Sequence, residues 1–276
     1  MPEGDTVWLS ARRMHDALAG HRLTQTDFRV PALATTDLSG CDVLEVVARG
    51  KHMLTRLSGD LTLHTHFMLT GQWLLVGAGS GRRAGPAHEI RVILATMDWR
   101  AIGLRLPVVE LIATSREPDL LRGLGPDLLG EDWDEAEALR RLRAAPDHEI
   151  GMALLEQANI AGIGNLYKTE ALFLTGITPW TTVGQVEDLP GLIRTTRRLM
   201  LANRDHWAQS TTGDLRRGRD HWVFERYRQQ CRRCGSEIRI GTQGTPPYDR
   251  LCYWCPSCQV GPAPASGASA LASKPA

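Results

Sequence analysis

The chain has 276 residues and carries 32 Lys plus Arg against 31 Asp plus Glu, a formal net charge of +1. Its length allows two domains and a small module, and the near-even balance removes any argument for a polyanionic partner from overall charge alone. No apolar run approaches the roughly 20 residues that span a bilayer. The polar start Met1-Pro2-Glu3-Gly4-Asp5-Thr6 lacks a targeting pattern, so a cytoplasmic protein with no membrane partner is expected.

Behind Pro2-Glu3-Gly4, the apolar residues Val7, Ala11, Met14 and Leu18 recur at helical spacing, with Asp5 as candidate cap and Gly20 as stop. From Asp42 to about Ala113 the pattern changes to short β-rich runs. These are DVLEVVA, HMLTRL, LTLHTHF, QWLLV, EIRVILAT, WRAIGLRL and VVELIA, separated by turn signals such as Ser58-Gly59-Asp60. An antiparallel sandwich or barrel is the natural closure for strands so closely spaced. His52, His64 and His66 fall within these runs and read as strand residues.

The stretch from Ser115 to Asp132, rich in Pro, Gly and Asp, reads as a linker. Helices are predicted over Asp132–Ala145, His148–Ala158, Gly164–Thr175 and Asp188–His206, the last with Leu192, Ile193, Thr196, Leu199, Met200 and Asn203 on one face. From Gly261 the composition turns to Pro, Ala, Gly and Ser, which predicts a disordered tail.

Charge is unevenly spread along the chain. Residues 211–240 hold eight Arg against four acids, whereas residues 101–150 hold six Arg against eleven acids. A polyanion should therefore meet the C-terminal half. Only Lys51, Lys168 and Lys274 are lysine, which singles them out for attention.

Five of the six cysteines crowd the C-terminal end, a pattern that suits metal in a reducing compartment better than disulfides. Cys231-Arg-Arg-Cys234 and Cys255-Pro-Ser-Cys258, with twenty residues between the pairs, can place four thiolates around one tetrahedral, structural zinc ion. Cys252 offers a competing pair with Cys255 at the same spacing. A hairpin this small needs such a staple because it owns little core. Upstream, Gln157-Ala-Asn-Ile-Ala-Gly-Ile-Gly-Asn165 joins two helices, and its glycines let backbone N–H groups approach a phosphate. Lys168 lies one turn further on.

Taken together, the MPEGDT start, a lysine after a glycine turn, the GIGN segment and the four-cysteine ribbon resemble the formamidopyrimidine-DNA glycosylase / endonuclease VIII family, from about Pro2 to Gln259. The MPEGDT form looks like the endonuclease VIII branch. The resemblance implies an α+β multidomain fold. Its parts would be a catalytic β-sandwich with an N-terminal helix over 1–115, a helix-two-turns-helix domain over 132–222, a zinc β-ribbon over 223–260 and the tail over 261–276.

Residue by residue, the resemblance implies that Pro2, freed of Met1, is the nucleophile and Glu3 the acid/base, with Lys51 reaching DNA near the lesion. It implies phosphate contacts at Asn165 and Arg250, and Met68 or Leu69 filling the gap left by an extruded base; Lys168 joins the DNA-binding candidates through its place one turn after the glycine segment. The implied protein is a monomer that acts on damaged DNA, excises oxidised bases, preferably pyrimidines, and cuts the strand. Two departures from the family pattern stand out: the spacer between cysteine pairs is longer than usual, and Met68-Leu69-Thr70 matches neither branch. Two other readings stay open: the same chemistry on formamidopyrimidine and 8-oxoguanine, or a zinc-ribbon protein that binds nucleic acid without catalysis.

A proline amine suits nucleophilic work, because an N-terminal amine has a pKa near ~8 and is partly neutral at physiological pH. Attack requires the target base to leave the stack, which costs least where the base is damaged or mispaired.

Overall fold

The computed structural model describes residues 2–80, 85–246 and 249–264, and the chain divides into two compact units, Met1–Leu124 and Gly125–Ala276. The predicted tail lies outside the described residues from position 265 onward.

The first unit opens with α1 (Gly4–Leu18), whose Val7, Ala11, Met14 and Leu18 are buried as their spacing requires. Its N-cap is Glu3 and not Asp5: the extended backbone ends at Glu3, and Asp5 sits in the first turn, buried, where the positive end of the helix favours a carboxylate.

Among the described residues eight strands follow: β1 (Gln25–Phe28), β2 (Val43–Arg49), β3 (His52–Leu57), β4 (Leu61–His66), β5 (Gln72–Gly77), β6 (Ile90–Ala95), β7 (Trp99–Leu104) and β8 (Val108–Ala113). They form two four-stranded antiparallel sheets, ordered β1-β6-β7-β5 and β2-β3-β4-β8. Residues of α1 share one apolar core with both sheets, through Val43, Val46, Met53, Leu63, Trp73, Val92, Leu94 and Ala101. This is the expected sandwich.

β1 escapes sequence analysis because only its last residue, Phe28, is buried; its pairing with β6, rather than any alternation of its own, makes it a strand. The turn between β2 and β3 consists of Gly50 and Lys51, since Arg49 pairs with His52. Gly50 takes φ +57 in the first position of this two-residue turn, which glycine alone adopts without strain.

Within the predicted linker lies a short helix, α2 (Glu117–Leu121). It is tied to the sheet because Arg56 on β3 donates to both oxygens of Glu117, at 2.9 and 2.7 Å, while the Thr62 hydroxyl donates to the same carboxylate at 2.6 Å. Arg56 also pairs with Glu45. These bonds hold Glu117 below the usual carboxylate range despite its burial.

The second unit contains α3 (Glu135–Arg143), α4 (Ile150–Ala153), α5 (Asn165–Thr175) and α6 (Leu189–Asn203), then the hairpin of β9 (Arg239–Gln243) and β10 (Arg250–Trp254). Asp134 caps α3 by accepting from the Glu137 N–H, and Asp188 caps α6 by accepting from the Gly191 N–H. The helix expected over His148–Ala158 shrinks to the single turn of α4. Downstream of it, side-chain amides take over backbone partners that a longer helix would use: Gln157 donates to the carbonyls of Leu155 and Ile163 and accepts from the Gly162 N–H, and Asn159 donates to the Ala153 carbonyl. Phe173 of α5 packs with Val223, Cys231, Ile238 and Cys255, which seats the hairpin on the helix. Among the described residues, no helix is long and apolar enough to cross a membrane.

Candidate active site

In the first unit, Pro2 is half-buried and Glu3 fully buried at the start of α1. The helix packs on β2 and β3, the two strands whose turn carries Lys51. Packing therefore joins the helix that follows Pro2 and Glu3 to the two strands that flank Lys51.

Next to that turn the antiparallel register gathers three histidines. His52 lies across from His66, and His64 lies across from Glu110. His52 Nδ1 is 2.9 Å from His64 Nε2, and His64 Nδ1 is 3.1 Å from Glu110 Oε2. The ring of His66 meets that of His52 edge-on at 4.9 Å. Burial and the neighbouring imidazoles push His52 down to about 4. His66 is pushed down to about 4 by burial, by His64 and by the Lys51 ammonium. The pattern of alternating histidines was visible in the sequence; that His52, His64 and Glu110 are hydrogen-bonded in a row with His66 packed against it was not.

Beyond His66 the chain turns outward. Met68 and Leu69 are 53% and 65% exposed, which places both outside the core.

In the second unit, Gly164 caps α5 and Asn165 is its first residue. Asn165 Nδ2 donates to the Leu251 carbonyl at 2.9 Å, and Arg250, at the start of β10, is exposed. Helix and hairpin thus hold Asn165 beside the strand that carries Arg250. Lys168 departs from expectation. Its side chain is 0% exposed, with Nζ 3.1 Å from Cys252 Sγ, so it points into the unit and not to a phosphate at the surface. The face of α5 that follows Asn165 is the face packed against β10, and a residue three positions on shares that face.

Cys231, Cys234, Cys255 and Cys258 bring their sulfurs within 4.8 Å of one another. Separations of 3.9 Å for Cys231 to Cys258 and 3.5 Å for Cys234 to Cys255 exceed a disulfide bond, and all four are free thiols. A tetrahedral ion with Zn–S bonds of about 2.3 Å has sulfurs about 3.8 Å apart, so the donor set fits a metal ion. Bonds with Ser236 draw the Cys234 thiol down to about 6, whereas burial pushes Cys255 and Cys258 up. Thiolates this close ionise together when a cation offsets their repulsion. Cys252 is not in the cluster; its sulfur is taken up by Lys168 and, at 3.5 Å, by Gln243.

Sequence reasoning missed Glu170. Its buried carboxylate accepts from the backbone N–H groups of Trp222, Val223 and Phe224 at 2.8, 2.8 and 2.7 Å and from the Thr211 hydroxyl, which ties residues 211–224 to α5. A single glutamate in an apolar helix gives no signal of such distant partners.

A sandwich with an N-terminal helix, a helical unit with a capped glycine turn, and a four-cysteine hairpin define a class of DNA-repair enzyme folds. Residues 1–105 match the family model for the formamidopyrimidine-DNA glycosylase N-terminal domain, and residues 124–196 match that for the formamidopyrimidine-DNA glycosylase H2TH domain. The chain is 51% identical over 269 residues to a probable endonuclease 8 2 of Streptomyces coelicolor, with 97% of each chain covered. It is 42% identical to the DNA-(apurinic or apyrimidinic site) lyase Nei2 of Mycolicibacterium smegmatis, covering 94% of this chain and 99% of that one. Among solved structures, MutM in complex with DNA containing carbocyclic 8-oxo-G matches at a TM-score of 0.78 and 23% identity, covering 94% of this chain and 100% of that chain. The chain therefore belongs to the formamidopyrimidine-DNA glycosylase / endonuclease VIII family, on its endonuclease VIII-like branch.

Proposed function

We propose that this protein is a bifunctional DNA glycosylase and abasic-site lyase of base excision repair that prefers oxidised pyrimidines and cuts the strand by β,δ-elimination. The observation that carries the reading is identity along almost the full chain to endonuclease 8 relatives, together with Pro2-Glu3 at the very start of α1.

Removal of Met1 frees the Pro2 amine. Its lone pair attacks C1′ of the damaged nucleotide, the N-glycosidic bond breaks, and the base departs with its electron pair and a proton. Glu3 protonates the sugar ring oxygen, the ring opens, and an iminium links Pro2 to C1′. The iminium acidifies the C2′ proton; its loss expels the 3′ phosphate, and a second elimination expels the 5′ phosphate. Lys51, Asn165 and Arg250 bind the phosphates. Met68 and Leu69 occupy the gap left by the extruded base. One zinc ion on Cys231, Cys234, Cys255 and Cys258 supplies structure, holding the hairpin that presents Arg250.

Borohydride trapping on an abasic duplex tests the chemistry. A covalent enzyme–DNA band is expected with the mature chain and none with Pro2→Gly; no band with either leaves a zinc-ribbon protein that binds without catalysis. A panel of matched duplexes tests the preference, and faster release of 8-oxoguanine or formamidopyrimidine than of oxidised pyrimidines rejects it.

A further inference from the structure

The loop that carries Met68 and Leu69 is shaped before any DNA arrives. Met68 has φ +48, a left-handed backbone that residues with a Cβ adopt at a cost. Its N–H donates to His66 Nδ1 at 3.0 Å. At the other end, the Gly71 N–H donates to the Phe67 carbonyl at 2.8 Å, and a Cβ on Gly71 would lie 2.7 Å from that same oxygen. The loop is therefore closed at both ends, once by backbone and once by a side chain.

The side-chain closure requires a bare lone pair on His66 Nδ1, which the bond from the Met68 N–H itself assigns by leaving the ring proton on Nε2. Beside it, His64 Nδ1 faces the Glu110 carboxylate, an acceptor for its proton, which leaves Nε2 to accept from His52 Nδ1. His66, packed edge-on against His52, accepts from Met68 only while its Nδ1 lone pair is bare. Burial, His64 and the nearby Lys51 charge all oppose a second proton there, so the ring is neutral at neutral pH and, with its proton on Nε2, accepts from Met68.

We propose that His66 is a positioning residue for base extrusion: by holding the Met68 N–H it maintains the left-handed turn that projects Met68 and Leu69 toward the gap in the duplex. The inference rests on the reading of these two side chains as gap fillers. Preorganising the loop lowers the conformational cost at the moment the base leaves the stack.

The test compares His66→Asn, whose Oδ1 can replace the Nδ1 acceptor, with His66→Phe, which removes it. Two readouts are used: kcat and KM for excision of an oxidised pyrimidine from a duplex, and fluorescence of 2-aminopurine placed opposite the lesion to report gap filling. His66→Phe is expected to lower kcat/KM for duplex excision on the order of tenfold and to weaken the fluorescence change, with a smaller loss on single-stranded abasic DNA. His66→Asn is expected to restore most of both signals. In a Met68→Gly background, where glycine adopts the turn unaided, His66→Phe should cost little more. Equal loss on both substrates, no rescue by asparagine, or full additivity with Met68→Gly overturns the inference. If replacing Met68 and Leu69 together by alanine leaves duplex excision unchanged, the gap-filling reading fails instead.

Discussion

Lys168 and Cys252 meet inside the second unit, Nζ 3.1 Å from Sγ, with both side chains fully buried. A lysine one turn beyond a glycine segment at a helix start is expected, from the sequence, to face DNA. Here it joins α5 to β10, next to the Asn165 bond to the Leu251 carbonyl.

The pair predicts an asymmetry in stability. Cys252→Ala leaves a buried amine short of an acceptor and should cost about 1–3 kcal/mol, whereas Lys168→Met fills similar space with apolar atoms and should cost less. Urea unfolding midpoints of the two variants measure this; a larger loss in Lys168→Met contradicts it.

The same geometry separates the basic residues by their salt dependence. Arg250→Ala should reduce the slope of log K for DNA against log salt by about one, while Lys168→Met should leave it unchanged. Titrations over a range of salt concentrations decide the matter, and a reduced slope for Lys168→Met would return that residue to the DNA surface.

If the four-cysteine cluster holds the ion, metal content should follow it and not the competing pair. One zinc per chain is expected by elemental analysis; Cys258→Ser should lose it together with DNA affinity, and Cys252→Ser should keep it. Retention of zinc in Cys258→Ser with loss in Cys252→Ser would reassign the ligands.

The imidazole array predicts an acid-side loss of stability. His52 and His66 are pushed from 6.5 down to about 4 in the folded chain, so the folded state binds fewer protons than the unfolded state between those values. Their contribution is fully present above the unfolded value and is lost as pH falls through this window. Thermal midpoints should drop across it, and replacing both residues by asparagine should flatten that part of the profile. An unchanged slope in the double variant removes the array as the cause.

Much of the fold is legible in particular residues. Seven strand runs between Asp42 and Ala113 coincide with β2 to β8 because their apolar residues alternate or run continuously between turn signals. The helices at α1, α3, α5 and α6 fall within stretches predicted as helical, α1 and α6 on periodicity, whereas their caps at Glu3, Asp134 and Asp188 came only from the structure. β1 and the shortened α4 were not legible, since pairing with a distant strand in one case and side-chain competition for backbone groups in the other decide them.

At the site, the sequence by itself determined which residue types are available: a proline amine beside a carboxylate, a lysine in a glycine turn, two apolar residues at a loop and two cysteine pairs at ligand spacing. These are local facts, carried by identity and short separation. Tertiary structure alone decided which way the side chains face. It placed Lys168 inside against Cys252, set Cys252 apart from the other thiols and lined up Glu110, His64 and His52 across three strands, with His66 packed beside them at the end of β4. The physical reason is that the partner of each group lies far away in sequence, and only strand register and helix packing bring such groups within hydrogen-bond distance.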